Sequence, residues 1–174
     1  MSYIKHGYPK LVVDLGKLRH NIEYVKDLCA RDGVEIAGVI KGCTGLVPCA
    51  REYEKAGVKF IASSRLEQLA ALKEEGFKTP LLMVRIPMLS EAEDIVTYCD
   101  YSLNSEMAVL EALNKCAGEQ GKIHNVILMA DCGDLREGWW DKDEMAEAAL
   151  TVENELKNLH LAGVGFNVGC YGSI

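Results

Sequence analysis

The sequence predicts an α/β fold in which a parallel sheet is wound as a (β/α)8 TIM-type barrel. Three observations carry that prediction. Short β-prone runs alternate with helical stretches, and most runs start roughly 20 to 25 residues apart, the spacing of repeated strand–helix units. No GxGxxG follows the first run, Leu11 to Asp14, so the open dinucleotide-binding sheet lacks its fingerprint. Polar residues stand where many runs end: Lys41, Ser64 and Arg65, Arg85, Asn104 and Ser105, Asp131 to Arg136, and Asn167. A barrel collects its chemistry from the ends of several different strands.

The elements follow in order. Leu11-Val12-Val13 is a short β-prone run closed by Asp14. From Leu15 to Ala30, Leu18, Ile22, Val25, Leu28 and Cys29 fall on one helical face. Ile36 to Ile40 is the second strand. A helix from Val47 to Ala56 starts near Pro48 and stops at Gly57. Val58 to Ala62 is a strand, and Ser63 to Glu67 has the form of a capping box opening a helix that ends at Gly76. Leu81 to Ile86 is a strand closed by Pro87. Ser90 with Glu93 is a second capping box, for a helix to about Tyr98. Tyr101 to Leu103 is a strand, and Asn104-Ser105 caps a helix whose inward side chains are Met107, Leu110, Leu113 and Ala117. Val126 to Ala130 is a strand, Lys142 to Asn158 a helix, and Leu161 to Val168 a strand.

That makes about seven strands and six helices in 174 residues. A complete barrel takes about 250 residues and eight strands, and an unclosed one leaves edge strands exposed. The expectation is therefore that residues 1–174 are the N-terminal part of a barrel. The remainder, and any C-terminal β domain, would lie in further sequence.

Composition narrows the function. Apolar residues make up 49% and charged residues 26%, as in ordinary globular domains. The net charge of −7, without a basic block, argues against nucleic acid or an anionic membrane as partner. No apolar run has the length of a membrane span, and Met1 to Lys10 has no apolar signal segment. The seven cysteines are scattered, with no CxxC and no histidine at metal-ligand spacing. They read as reduced core thiols, which together with the missing leader predicts a cytoplasmic protein without a metal.

Lys41 is the one lysine that directly follows a strongly apolar strand and precedes a small-residue loop, Gly42-Cys43-Thr44-Gly45. Near a packed interior an amine loses hydration, and its neutral, nucleophilic form is favoured, as a Schiff base requires. The alternative is a surface lysine that caps a strand. Gly42 to Gly45 is not a P-loop, because the GxxxxGK[ST] order is absent. In Asp131-Cys132-Gly133-Asp134-Leu135-Arg136-Glu137-Gly138, Arg136 could hold a carboxylate or a cofactor oxygen. Asp131, Asp134 and Glu137 could orient it or attract a basic substrate. The alternative is an exposed charged turn. Asn167, a polar amide among apolar residues, needs a partner if buried. Arg85 either pairs with a carboxylate or contacts an anion. Trp139 and Trp140 line a pocket or a contact, or pack in the core.

With these residues in view, the chain resembles the pyridoxal-phosphate (PLP) barrel of the alanine racemase type (fold type III). Within that group it is most similar to ornithine racemase-like amino-acid racemases. The motifs are Tyr8-Pro9-Lys10 through Asp14 with Leu18 to Asn21; Val39-Ile40-Lys41; Ala62 to Arg65; Arg85 to Leu89; Asn104 to Glu106; Asp131 to Gly138; and Gly163 to Gly172. Each is weak alone, but seven in order cover essentially the whole chain.

The resemblance implies a PLP-dependent racemase interconverting L- and D-amino acids, with ornithine or a similar basic amino acid as substrate. It implies that Lys41 forms the internal aldimine and moves the α-proton on one face. It places Arg136 beside the cofactor's phenolic oxygen and the substrate carboxylate, with Asp131 a further substrate-side residue. Asn167 stands where alanine racemases keep a histidine against the pyridine ring. Met129 replaces a lysine that often braces the arginine, leaving Asp131 or another acid for that task. Gly45 replaces a phosphate-binding tyrosine. The family's second base and most of its phosphate cup come from later sequence, so residues 1–174 alone are expected to be inactive. The full-length protein is expected to be a homodimer. Two alternatives are a non-catalytic PLP-binding homeostasis protein on the same barrel, and an inert barrel fragment.

Overall fold

Asp14 starts the first regular element of the computed structural model, which describes residues 11–169. Its carboxylate accepts from the Lys17 amide at 3.0 Å and caps α1, Leu15–Ala30. The residues before it, Leu11 to Val13, are not the expected strand. Leu11 and Val12 are 92% and 83% exposed. A β-prone run becomes a strand only where a neighbour completes its ladder and covers a face, and among the described residues no strand pairs with this run. Tyr8 to Lys10 and the loop from Cys170 lie outside the described residues.

Six strands therefore form the sheet, in the order of the chain and with every neighbouring pair parallel. They are β1 Ala37–Val39, β2 Phe60–Ser63, β3 Leu81–Met83, β4 Tyr101–Asn104, β5 His124–Asp131 and β6 Leu159–Asn167. The remaining helices are α2 Val47–Ala56, α3 Leu66–Glu74, α4 Ala92–Tyr98, α5 Met107–Glu119 and α6 Lys142–Asn154. Sequential order with a helix after each of β1 to β5 is the winding of a barrel. Here the barrel is incomplete among the described residues, with β1 and β6 at the two edges.

Three expected side-chain caps do not form, at the starts of α3, α4 and α5. The Ser63 hydroxyl accepts from the Arg65 amide (3.1 Å) and donates to Gln68 (2.7 Å), so no box with Glu67 forms. Glu91, not Glu93, folds back onto the Met88 amide (3.0 Å), one residue before α4. Asn104 turns its amide onto Ser102, and α5 starts after Glu106 without a side-chain cap. Asp141 is the missed cap, accepting from Asp143 and Glu144 in the first turn of α6. Ser63 and Asn104 are held by competing local partners.

The core lies between the sheet and its helices. Ile40, Ile61, Leu81, Met83, Val126 and Leu128 from the sheet side meet Leu69, Leu72, Ile95, Leu110, Leu113 and Val152 from the helices, all nearly or wholly buried. Paired residues in a parallel sheet project to the same face. Val164 and Phe166 pair with Leu128 and Ala130, so they lie on the helix side, yet they are 69% and 64% exposed. The opposite face is the barrel interior. Buried Ala62, Leu82 and Met129 lie there, with Gly163 and Gly165 opposite Ile127 and Met129.

Candidate active site

All six strands run the same way, so the segments that follow them gather at one end of the sheet. At β1 the side chain of Ile40 is wholly buried and its amide donates to Ala62 (2.9 Å), fixing the strand end to β2. The chain then coils through a tight turn at Lys41–Cys43, which the Cys43 and Gly45 amides close onto the Ile40 carbonyl, each at 3.1 Å. Lys41 projects from this turn. Its side chain is exposed and makes no ion pair or hydrogen bond among the described residues. The expected loss of hydration is thus not supplied by the described residues. What they do supply is an uncommitted amine on a rigid strand tip.

At β2 and β3 the arginines separate into different roles. Arg85 is committed. One nitrogen, Nη2, donates to both Glu91 oxygens (2.7 and 2.9 Å), Nε to the Ser64 carbonyl (3.1 Å) and Nη1 to the Ile86 carbonyl (3.1 Å). The hydrogen bond from Arg85 holds the Glu91 carboxyl below its ordinary range, with the Met88 amide adding to it. Arg85 therefore takes the first of its two expected roles, pairing with a carboxylate. It ties the exits of two strands together. Arg65 is exposed and pairs with Glu67 (3.3 Å).

The tip of β4 carries the site's unsatisfied atoms. Asn104 is wholly buried, and its Nδ2 donates to the Ser102 carbonyl (2.9 Å) and hydroxyl (3.0 Å). The Ser102 hydroxyl also meets Nε2 of His124 (2.9 Å). Burial pushes the His124 imidazole down to about 4, which keeps it neutral. Asn104 Oδ1 and Ser105 Oγ are buried with no partner among the described residues. Buried polar atoms are nearly always paired, so two orphans at one strand tip are unusual.

The charged loop after β5 is built, not loose. The Trp139 amide donates to Met129 (2.8 Å) and its carbonyl accepts from Asp131 (2.9 Å), pinning both ends of the excursion. Gly138 has φ +116°, and a Cβ there would lie 2.5 Å from the Asp131 nitrogen, so only glycine fits. Asp131 spends one oxygen inside the loop, accepting from Gly133 (2.8 Å) and Leu135 (3.2 Å). The acid beside Arg136 is Glu137, whose Oε2 lies 3.6 Å from Nε. Its other oxygen accepts from Asn167 Nδ2 at 3.0 Å, and Asn167 Oδ1 accepts from the Gly169 amide (3.0 Å). Trp139 is half-buried against the core, whereas Trp140 is 69% exposed.

Arg136 and Asn167 are thus joined through Glu137, a carboxylate the sequence could name but not rank. Asp131, Arg136 and Glu137 line one cleft with Ser105, Glu106 and Ile86. Lys41 stands at the other edge of the six-strand order, and no hydrogen bond or ion pair joins it to Arg136 or Asn167. Ser105 and Glu137 were named among the strand-end polar residues and the acids near Arg136, but sequence reasoning did not single them out. Their signal was present as polarity at strand ends, but satisfaction of individual atoms is visible only in three dimensions. Among the described residues no group of three metal-ligating side chains assembles, and no helix is long and apolar enough to cross a membrane.

Residues 13–173 match the family model of the alanine racemase N-terminal domain. The chain is 40% identical over 167 residues to an ornithine racemase of Acetoanaerobium sticklandii, an alignment covering 96% of this chain and 46% of that protein. It is 32% identical to a lysine racemase of Thermotoga maritima over the same shares. An alanine racemase structure from Clostridium difficile 630 superimposes with a TM-score of 0.80 over 90% of this chain and 41% of the other, at 24% identity. The chain spans about half the length of the curated relatives it matches.

Proposed function

The chain belongs to the alanine racemase N-terminal domain family, and from that premise we propose that it contributes the lysine-bearing part of a PLP-dependent amino-acid racemase. The observation that carries the reading is Lys41: an uncommitted, exposed amine at a strand tip, on the same end of the sheet as an arginine held beside a carboxylate. The residues fit the cofactor. A free amine suits attachment to an aldehyde, and the orphaned Ser105 hydroxyl and Asn104 side-chain carbonyl at the β4 tip leave polar capacity for a ligand.

In this reading Lys41 holds PLP, with Arg136 and Asn167 beside it. PLP when bound supplies an electron sink that makes the substrate's α-proton removable. Lys41 Nζ would take or return that proton on one face of the α-carbon. Arg136 receives the substrate carboxylate, and Glu137 limits its rotation. Asp131, Glu106 and Glu137 give the cleft a negative lining, which favours an amino acid with a cationic side chain, ornithine or one like it. These residues form the N-terminal part of the barrel. The whole enzyme acts in the cytoplasm as a homodimer on a small amino acid, without nucleic acid or membrane.

The test is chiral chromatography of the full-length protein with PLP and L-ornithine, L-lysine or L-alanine. Faster racemisation of ornithine or lysine than of alanine supports the reading. Preference for alanine contradicts the basic-substrate part. PLP binding without racemisation of any amino acid overturns the enzyme in favour of a PLP-carrying protein.

A further inference from the structure

Among the described residues, two that are not glycine sit in the left-handed region: Thr44 at φ 53° and Leu135 at φ 52°. They stand three residues after Lys41 and one before Arg136. A β-branched residue there is an outlier, and such strain persists only where the surroundings impose it. At Leu135 the imposing group lies in the same loop, since its amide donates to Asp131 Oδ1 (3.2 Å). At Thr44 it comes from the next helix.

Thr44 is followed by Gly45 at φ 71°, so two consecutive left-handed residues reverse the chain behind Lys41. Their amides tie back to the lysine's own turn: Thr44 to the Lys41 carbonyl (3.2 Å) and Gly45 to the Ile40 carbonyl (3.1 Å). Gln68, in the first turn of α3, lies across Gly45. A Cβ on Gly45 would stand 2.7 Å from Gln68 Cγ and 2.9 Å from its Cβ and Cδ, so the glutamine packs on bare backbone. Its far end is fastened. Gln68 Oε1 accepts from the Ser63 hydroxyl at 2.7 Å, and wholly buried Ser63 also accepts from the Arg65 amide (3.1 Å). Ser63 ends β2, and the carbonyl of its neighbour Ala62 takes the Ile40 amide (2.9 Å). The tip of β2 thus grips the Lys41 turn twice, at its start through Ala62 and at its return through Ser63 and Gln68.

We propose that Gln68 is a positioning residue for Lys41: anchored on Ser63, it clamps the strained Thr44-Gly45 reversal and so holds the turn from which the lysine projects. Lys41 makes no hydrogen bond or ion pair of its own among the described residues, so the backbone of the turn sets where its side chain begins. Without the clamp Thr44 relaxes to an ordinary negative φ, the amides that close the turn leave their carbonyls, and the origin of the lysine side chain moves. Glycine takes the left-handed region as readily as the right-handed one. Thr44→Gly therefore removes the need for the clamp, which would not hold if Gln68 acted by touching cofactor or substrate. The consequence for the amine rests on the role of Lys41 proposed above; the clamp itself does not.

Two readouts test it. The first needs no cofactor: hydrogen exchange of the Gly45 amide, followed by NMR. Gln68→Ala is expected to speed it at least ~5-fold, while the Ile61 amide inside β2, bonded to the Pro80 carbonyl, keeps its wild-type rate, as for a local opening. Unchanged exchange at Gly45 overturns the clamp. The second is the rate at which PLP followed by borohydride labels Lys41, with exposed Lys17 as internal reference. Gln68→Ala is expected to label Lys41 ~10-fold more slowly relative to Lys17, as for a misplaced reacting group. Adding Thr44→Gly is expected to bring the rate back to within ~3-fold of wild type. Slow labelling that Thr44→Gly does not restore overturns the positioning role in favour of a direct contact. Faster exchange with unchanged labelling overturns the link from clamp to amine. Should Gln68→Ala fold poorly, Gln68→Met, which keeps bulk on Gly45 and loses the acceptor for Ser63, takes its place. Wild-type protein that labels Lys41 no faster than Lys17 overturns the reading of Lys41, and the exchange result still decides the clamp.

Discussion

Glu137 shows how much a single carboxylate can organise. One oxygen takes the Asn167 amide and the other faces Arg136, so two residues from different strand ends are set by one side chain that is 14% exposed. Glu137→Gln keeps an acceptor for Asn167 and removes the charge beside Arg136. The expected outcome is a melting temperature nearly unchanged, with KM for the amino acid raised about tenfold and a smaller effect on kcat, because a bidentate arginine contact loses its preorganisation. Steady-state kinetics of the full-length protein check this. The choice of Glu137 over Asp131 was not legible in the sequence. Three acids lie within a few residues of Arg136, and only the loop's internal hydrogen bonds, which occupy Asp131, decide among them. Lys41 and Asn167 stand out in the sequence as polar residues at the ends of β-prone runs and Arg136 as part of the charged loop after one, and the structure puts all three at the same end of the sheet.

Between elements, β1 and α2 depend on a missing side chain. A Cβ on Gly38 would lie 2.2 Å from Cδ1 of Tyr53, so the helix packs directly on the strand backbone. Gly38→Ala is expected to destabilise by about 1–3 kcal/mol, the usual cost of overpacking. Adding Tyr53→Leu should recover part of that loss, giving a coupling energy in a double-mutant melt. β4 and β5 are joined by the Ser102–His124 contact, and this predicts a pH signature. His124 has a folded pKa of about 4 against 6.5 in the unfolded chain. Between those values the unfolded state binds the extra proton, so stability falls as pH drops through that window, by about 3 kcal/mol in all. His124→Gln should flatten melting temperature against pH in that range. Glu91 acts lower: its depressed pKa gives stability that is full above 4.5 and is lost as pH falls through the folded value. That slope should persist in His124→Gln and shrink in Glu91→Gln. The α1 and α2 spans agree with the helical periodicity residue for residue. Two of the caps were misassigned because Ser63 and Asn104 bond other local groups, which spacing cannot reveal.

At the scale of the whole molecule, alternation of strand and helix was enough to predict a sequentially ordered parallel sheet, and the sheet is that. What alternation could not supply was the state of the first run. Leu11 to Val13 has strand composition but lies exposed ahead of α1, since pairing belongs to the neighbours and not to the run. The sheet also sets the distance the site must bridge, with Lys41 leaving β1 and the Arg136–Glu137–Asn167 group leaving β5 and β6. A barrel curvature brings those two edges toward each other, so binding of PLP by both should raise the melting temperature, by RT ln(1 + [L]/Kd) in free-energy terms. A protein with Arg136→Ala should keep only part of that rise. The central claim is that Lys41 is the attachment point, and one measurement addresses it directly: PLP is added to the protein, borohydride reduces whatever has formed, and tryptic peptides are mapped. The account predicts a reduced pyridoxyl adduct on Lys41, with loss of the bound-cofactor absorbance in Lys41→Ala. An undiminished band in Lys41→Ala, or an adduct on another lysine, would contradict it.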